Sequence, residues 1–306
     1  MIAVGAVLLV LRPRGGEPVV LHVGDQRGQI RALMLAAGEL KNVPYKIDWD
    51  LFPVGAPLIE AMKAGAVDFG YVGSSTMTFG LAAGAPIKVI NVWRMGGPGD
   101  AILVPPGSAI HSLADLRGKR IAIVRGSPGH LLVVEALRSA GIPLSAVSLI
   151  NLSAGDAKAA LDSGSVDAWS IWDPYLAIGE RQNHDHMLVT SEEMGREVEC
   201  GVASETAIRT KHAQLSDFIT RVRGAAIWAE THPEAAAQAF ARDTGLPIEI
   251  ARIVRGRMHV NVLRRVDDAA IAAHQRAADI YAGIGLIPHK IDIAQVYDRS
   301  FVIGEK

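Results

Sequence analysis

One segment of this chain is written twice. Met62–Ser75 reads MKAGAVDFGYVGSS and Leu161–Pro174 reads LDSGSVDAWSIWDP. Both run from a helix end through Gly and Val-Asp into a short buried strand, then into a helix cap. Upstream of each lies a matching strand-turn-helix start, VGDQRG at Val23–Gly28 and VRGSPG at Val124–Gly129. The two units stand about 100 residues apart. Any two βαβ units share this rhythm, but here it recurs over several successive elements. A doubled βαβ pattern calls for two parallel-rich sheets, each with helices on both faces.

The rest of the chain fits that plan. Its 306 residues suffice for two domains of ordinary size. Hydrophobic residues make up 49% but aromatics only 5%, so the cores must be aliphatic. Strand and helix alternate from Val19 to Val92 and again from Arg120 to Asp173-Pro174. Beyond about Thr206 the strand signal fades. Leu215–Glu230, Pro233–Arg242, Pro247–Met258 and Asp267–Ala282 read as helices, several opened by Pro or Asp and stopped by Gly. Met1–Leu11 is an apolar run too short to span a bilayer. It reads as the apolar part of a truncated secretory signal peptide, with a buried first strand as the alternative. Arg12–Pro18 then reads as a spacer.

Several function classes find no support. The formal net charge is −1, whereas nucleic-acid binding usually shows as a basic surplus. Cys200 is the single cysteine, so neither an internal disulfide nor a cysteine-based zinc site can form. Ten histidines supply no HExxH motif. His184 and His186 flank Asp185, in what reads as a solvated turn. No Walker or GxGxxG motif is present, and no positioned base accompanies Cys200. No catalytic residue, metal or cofactor is expected.

In open α/β sheets, ligands bind beyond the carboxyl ends of the strands. Four turns qualify: Gln26-Arg27-Gly28, Gly73-Ser74-Ser75, Gly126-Ser127-Pro128-Gly129-His130 and Trp172-Asp173-Pro174. Helix N-termini carry unpaired N–H groups that suit an anionic oxygen. Ser74, Ser75 and Ser127 add hydroxyls, although each serves equally well as a helix cap. Arg27 is the first candidate charge partner and Arg94 the second. Trp172 suits an organic tail. Asp173, ionised, donates nothing to an anion, and caps a helix or orients a donor.

Taken together, these segments resemble the sulfonate/taurine/nitrate-type substrate-binding proteins of ABC importers, above all the members that bind aliphatic sulfonates. Besides the turns, the resemblance runs through PLIEAMKAGAVDFGYVGSS (Pro57–Ser75), AAGAPIKVI (Ala82–Ile90), DLRGKRIAIVRGSPGHLLVVEALRSAGI (Asp115–Ile142), SGSVDAWSIWDPYLA (Ser163–Ala177), WAETHPEAAAQAFARDTGLP (Trp228–Pro247) and IGLIPHKIDI (Ile284–Ile293). It implies a type II periplasmic-binding-protein fold: two doubly wound α/β lobes, a ligand cleft between them, and a helical C-terminal region packed on lobe one. Lobe one would comprise 19–104 and 199–306, lobe two 105–198, with residues 1–18 as leader and spacer. The crossovers would fall near Ala101–Val104 and Glu199–Ala203.

The resemblance also implies a monomeric periplasmic protein. It would capture a small anion, an alkanesulfonate or taurine, and pass it to the membrane-spanning permease subunits. The pocket positions carried over are Gln26, Arg27, Gly73, Ser74, Ser75, Ser127, Gly129, His130, Trp172 and Asp173. Two departures stand out. Pro128 removes a backbone donor, and Glu199 near the cleft would repel a sulfonate unless it is turned away or paired. Desulfinases and enzymes of thiamine-pyrimidine synthesis share the scaffold. That alternative needs a nucleophilic cysteine or a reactive histidine facing the cleft.

Overall fold

The computed structural model describes residues 18–27, 29–195 and 198–304. The expected leader, and all of the spacer but Pro18, lie outside them.

The chain first builds β1 (Val20–Gln26), α1 (Gln29–Ala36), β2 (Lys46–Phe52), α2 (Gly55–Lys63), β3 (Phe69–Gly73), α3 (Ser74–Ala82) and β4 (Ile87–Gly96). It then makes β5 (Asp100–Val104), β6 (Arg120–Ile123), α4 (Pro128–Ser139), β7 (Ser148–Asn151), α5 (Ala154–Asp162), β8 (Ala168–Trp172), α6 (Tyr175–Ile178), β9 (His186–Thr190) and α7 (Ser191–Met194). The last stretch holds β10 (Glu199–Ser204), α8 (Glu205–Thr210), α9 (His212–Thr231), α10 (Pro233–Thr244), α11 (Ile248–Arg257), β11 (His259–Val262) and α12 (Asp268–Gly283).

Two sheets result. The first runs β2-β1-β3-β10-β4-β11 and the second β7-β6-β8-β5-β9. Strands β2, β1 and β3 are parallel, as are β7, β6 and β8. In each sheet the next strand inward from the other lobe, β10 or β5, is antiparallel to both neighbours. The repeat seen in the sequence is therefore a repeat of topology. It extends to hydrogen bonds. Asp68 accepts the His22 N–H at 2.8 Å, and Asp167 accepts the Arg120 N–H at 2.8 Å. Each Asp of the twin Val-Asp pairs thus ties the start of one parallel strand to the next.

Four expectations are corrected. Asp100–Val104 pairs with β8 and β9, so it belongs to the second sheet and the first crossing lies at 97–99. Glu199–Ala203, expected as the second crossing, is likewise a strand, part of β10 between β3 and β4 in the first sheet. Two further strands escaped the reading. His186–Thr190 is a five-residue strand that directly follows a polar loop, and His259–Val262 is a four-residue strand that pairs with the edge of β4. The tertiary partner, not local propensity, makes both into strands.

Each sheet is buried on both faces. Leu21, Phe69, Ile90 and Phe218 pack on one side of the first sheet, and Leu58, Met77, Val202 and Ile293 on the other. Ile121, Leu132 and Leu137 cover one face of the second sheet, and Trp169, Leu161 and Leu176 its opposite face. Two further clusters join the lobes. Leu131 and Val134 of α4 meet Ile280 and Tyr281 of α12. Ala177, just inside α6, meets Phe240 of α10 and Ile250 and Val254 of α11. The C-terminal helices thus pack on the first lobe and also reach the second.

Candidate functional site

A cleft opens between the two sheets at the carboxyl ends of their parallel strands. The first lobe lines it with Gln26, Gly55, Tyr71, Gly73, Thr76 and Trp93, and the second with Val124 to Pro128, Trp172 and Asp173. Gly99, Asp100, Val198 and Glu199 line it where the two crossings pass.

The crossings are near-copies of one another. The Ser74 N–H donates to the Val198 carbonyl at 3.0 Å, and the Asp173 N–H donates to the Gly99 carbonyl at 3.1 Å. Beside them Glu199 pairs with Gly73, and Asp100 with Trp172. One acid from each crossing therefore enters the cleft at equivalent places.

The sequence candidates fall into three groups. Gln26, Gly73, Ser127, Trp172 and Asp173 line the cleft. Gln26 is steered by its Nε2 donating to the Tyr71 carbonyl at 2.7 Å. Ser127 caps α4 by accepting the His130 N–H. Asp173 Oδ1 accepts the Ala177 N–H at 3.0 Å and meets Arg257 at 3.5 Å.

The second group supports the cleft from behind. Ser74 and Ser75 are fully buried at the start of α3, and Ser75 Oγ accepts from Tyr281 at 2.9 Å. His130 Nδ1 accepts the Gly126 N–H at 3.2 Å, which holds the cleft turn in place. Burial, with the Arg125 charge second, lowers the His130 pKa to about 4, so the ring is neutral. Gly129 brings α4 against β8: a Cβ there would lie 3.0 Å from the Ser170 carbonyl.

The third group faces elsewhere. The Arg27 guanidinium donates to the Tyr175 hydroxyl and lies 4.5 Å from that ring's centroid, so it ties the first lobe to α6. Arg94 is engaged by Asp267 at 2.7 Å, outside the cleft lining. Pro128 occupies the first turn of α4. A missing N–H at that position is tolerated, because it has no partner within the helix.

Three cleft residues carry charge-bearing groups that the sequence reading did not rank, Asp25, Asp100 and Arg125, and Glu199 lies in the cleft lining with them. Asp25 accepts the Ile30 and Arg31 N–H groups at 3.2 and 2.9 Å and so caps α1. Burial nevertheless raises its pKa to about 6. Burial raises Asp173 to about 7, against the pull of Arg257. Burial first, then the Asp100 charge, raises Glu199 to about 8.

Cys200 follows Glu199 on β10 but points the opposite way, as alternation along a strand requires. It is fully buried in the core, with Sγ 3.8 Å from the Tyr297 hydroxyl. That hydroxyl meets His274 Nδ1 at 3.0 Å, and His274 Nε2 meets Thr78 Oγ1 at 3.0 Å. The thiol belongs to a closed internal network, not to the cleft.

The model of the family described as NMT1/THI5 like matches residues 53–236. An Escherichia coli K12 protein named for binding aliphatic sulfonates is 29% identical over 91% of this chain and 88% of its own length. A Bacillus subtilis protein named in the same way is 30% identical over 84% of this chain and 77% of its own. The alkanesulfonate-binding protein SsuA of Xanthomonas axonopodis pv. citri, solved bound to MOPS, superposes with a TM-score of 0.87 at 27% identity. The match covers 94% of this chain and all of that one. With a family model matched over more than half of its length and a relative this similar aligned over most of it, the chain belongs to the NMT1/THI5-like family.

Proposed function

We propose that this protein is the substrate-binding component of an ABC importer. It captures a small organic sulfonate outside the cytoplasmic membrane and delivers it, as a monomer, to the membrane-spanning permease subunits. The observation that carries this reading is the cleft lined from both sheets at the carboxyl ends of their parallel strands. The relatives named for binding sulfonates support the ligand class.

The mechanism is closure. Contacts that span the lobes are available to hold the closed form. The Thr76 hydroxyl donates to the Gly126 carbonyl at 3.1 Å, and Arg276 meets Glu135 at 3.2 Å. Arg27 reaches Tyr175, and Arg257 reaches Glu180. A ligand that touches both lobes only when they are closed shifts the equilibrium toward that state. In the cleft, Arg125, Gln26 and Ser127 face the sulfonate oxygens, and Trp172 packs on the organic tail. Arg27, Ser74, Ser75, Gly129 and His130 hold these groups in position. Catalysis is not part of this reading, since the one thiol lies in the core.

A thermal-shift series with alkanesulfonates, taurine, nitrate and aryl sulfonates tests the proposal. At a hundredfold excess over Kd a specific ligand adds about 2.7 kcal/mol, worth roughly 5 °C in a protein of this size. Stabilisation by a sulfonate and not by nitrate is expected. No response to any sulfonate would refute the ligand class.

A further inference from the structure

The backbone donors expected at two of the cleft turns are not free to meet an anion. The Ser74 N–H already donates to the Val198 carbonyl, and the Asp173 N–H to the Gly99 carbonyl. Acids stand beside both turns instead. The lining holds Asp25, Asp100, Asp173 and Glu199 against Arg125. Asp25 caps α1, and Asp173 accepts the Ala177 N–H and meets Arg257. Glu199 differs. It is the first residue of β10, seated between Gly73 of β3 and Trp93 of β4, and it is only partly buried while the rest of that strand is buried. It therefore opens on the cleft, beside a turn where an oxyanion would be received. Among the described residues, nothing donates a hydrogen bond to its carboxyl. A sulfonate is the anion of a strong acid, so it accepts hydrogen bonds and brings no proton of its own. An ionised Glu199 would repel it, whereas a neutral carboxyl is a donor.

We propose that Glu199 is a ligand-binding residue that acts as a neutral carboxylic acid: it donates its O–H to a sulfonate oxygen, and the anion is captured together with one proton. This rests on the reading of the cleft as a sulfonate site and adds a donor to it. The titratable and charged groups facing Glu199 are Tyr71 from β3, Asp25 from β1, Asp100 from β5, Arg125 before α4 and Asp173 after β8. The Tyr71 hydroxyl donates to Asn91 at 2.8 Å, so it gives nothing to Glu199. Three of the others are acids, and Arg125, the cation among them, is exposed. These surroundings favour the neutral carboxyl. Burial first, then the Asp100 charge, accordingly raises the Glu199 pKa to about 8. At neutral pH the proton is therefore already in place, and above about pH 8 the incoming anion must draw it from solvent.

Calorimetric titration with butanesulfonate tests this. The compound does not titrate in this range, so any proton taken up on binding goes to the protein. Titrations at pH 8.5 in two buffers of different ionisation enthalpy count the protons. The wild type should take up more than about half a proton there, and its affinity should fall by close to tenfold per pH unit above that value. Ionisation of the neighbouring acids alone would also weaken binding at high pH, and two variants separate that effect from donation. Glu199→Gln keeps an N–H donor at the position, and Glu199→Met keeps the length without one. At pH 6.5 the Gln variant should bind about tenfold more tightly than the Met variant, the usual effect of a hydrogen bond to a charged group. Proton uptake at pH 8.5 should drop in both. The wild-type proton count decides the matter even if neither variant folds. No proton uptake by the wild type, or equal affinity of the two variants, would overturn the inference and leave the sulfonate reading intact. No binding of butanesulfonate at any pH between 6 and 9 would overturn both.

Discussion

At the scale of single residues, Glu199 decides most. It looked like an obstacle to an anion, and the structure places it in the cleft beside Asp100. A carboxyl whose pKa is raised by folding stays protonated longer in the folded state. Its contribution is fully present below about pH 4.5 and is lost as the pH rises through about 8. The ligand-free protein should thus lose stability from mildly acidic pH toward pH 8, as Asp25, Asp173 and Glu199 ionise in turn. Glu199→Gln should raise the stability of the free protein by about 1–3 kcal/mol above that range and change it little at low pH. Chemical denaturation at the two pH values measures this. The histidines act in the other direction. Burial lowers His274 to about 3, so its contribution is present above about pH 6.5 and is lost as the pH falls from there toward about 3. No residue-level signal marked Asp100 in the sequence, and Arg125 was passed over. Asp100 sits in no motif and reaches the cleft through its pairing with Trp172, whereas Arg125 stands inside the repeated VRGSPG segment, where the turn residues after it drew the attention.

Among the elements, those with strong local patterns were legible. Strands β1, β3, β6 and β8 are apolar runs that end in turn residues, and the twin Val-Asp pairs marked equivalent strand starts. Strands β9 and β11 were not legible, because segments of four or five residues are too short to show a period and become strands only when a neighbour offers an edge. The crossing was placed a few residues late for a related reason: an apolar Ala101–Val104 fits either sheet until its partners are known. Helix α4 offers a sharp test of packing. Gly129→Ala pushes a methyl group toward the Ser170 carbonyl at 3.0 Å and should cost about 1–3 kcal/mol. Gly155→Ala near the start of α5 meets nothing within 4 Å, and should instead gain about 0.5–1 kcal/mol. Thermal unfolding of the two variants should shift in opposite directions.

For the whole molecule, the duplicated sequence became a duplicated topology, with matching strand order, matching Asp ties and matching crossings. The sequence carried that much because each βαβ unit writes its own local pattern. It carried less about the C-terminal helices, whose apolar faces do not say which lobe they cover. The structure shows α11 and α12 touching both. Arg257 of α11 connects to Asp173 and Glu180 of the second lobe. Arg257→Ala should weaken sulfonate binding about tenfold by removing a contact of the closed form, while leaving each lobe folded. Titration calorimetry combined with circular dichroism checks both parts.

The most direct test of closure is small-angle X-ray scattering of the wild-type protein with and without a saturating concentration of a sulfonate that stabilises it in the thermal-shift series. Closure of the two lobes around the ligand predicts a smaller radius of gyration and a narrower distance distribution in its presence. Identical scattering curves would contradict it.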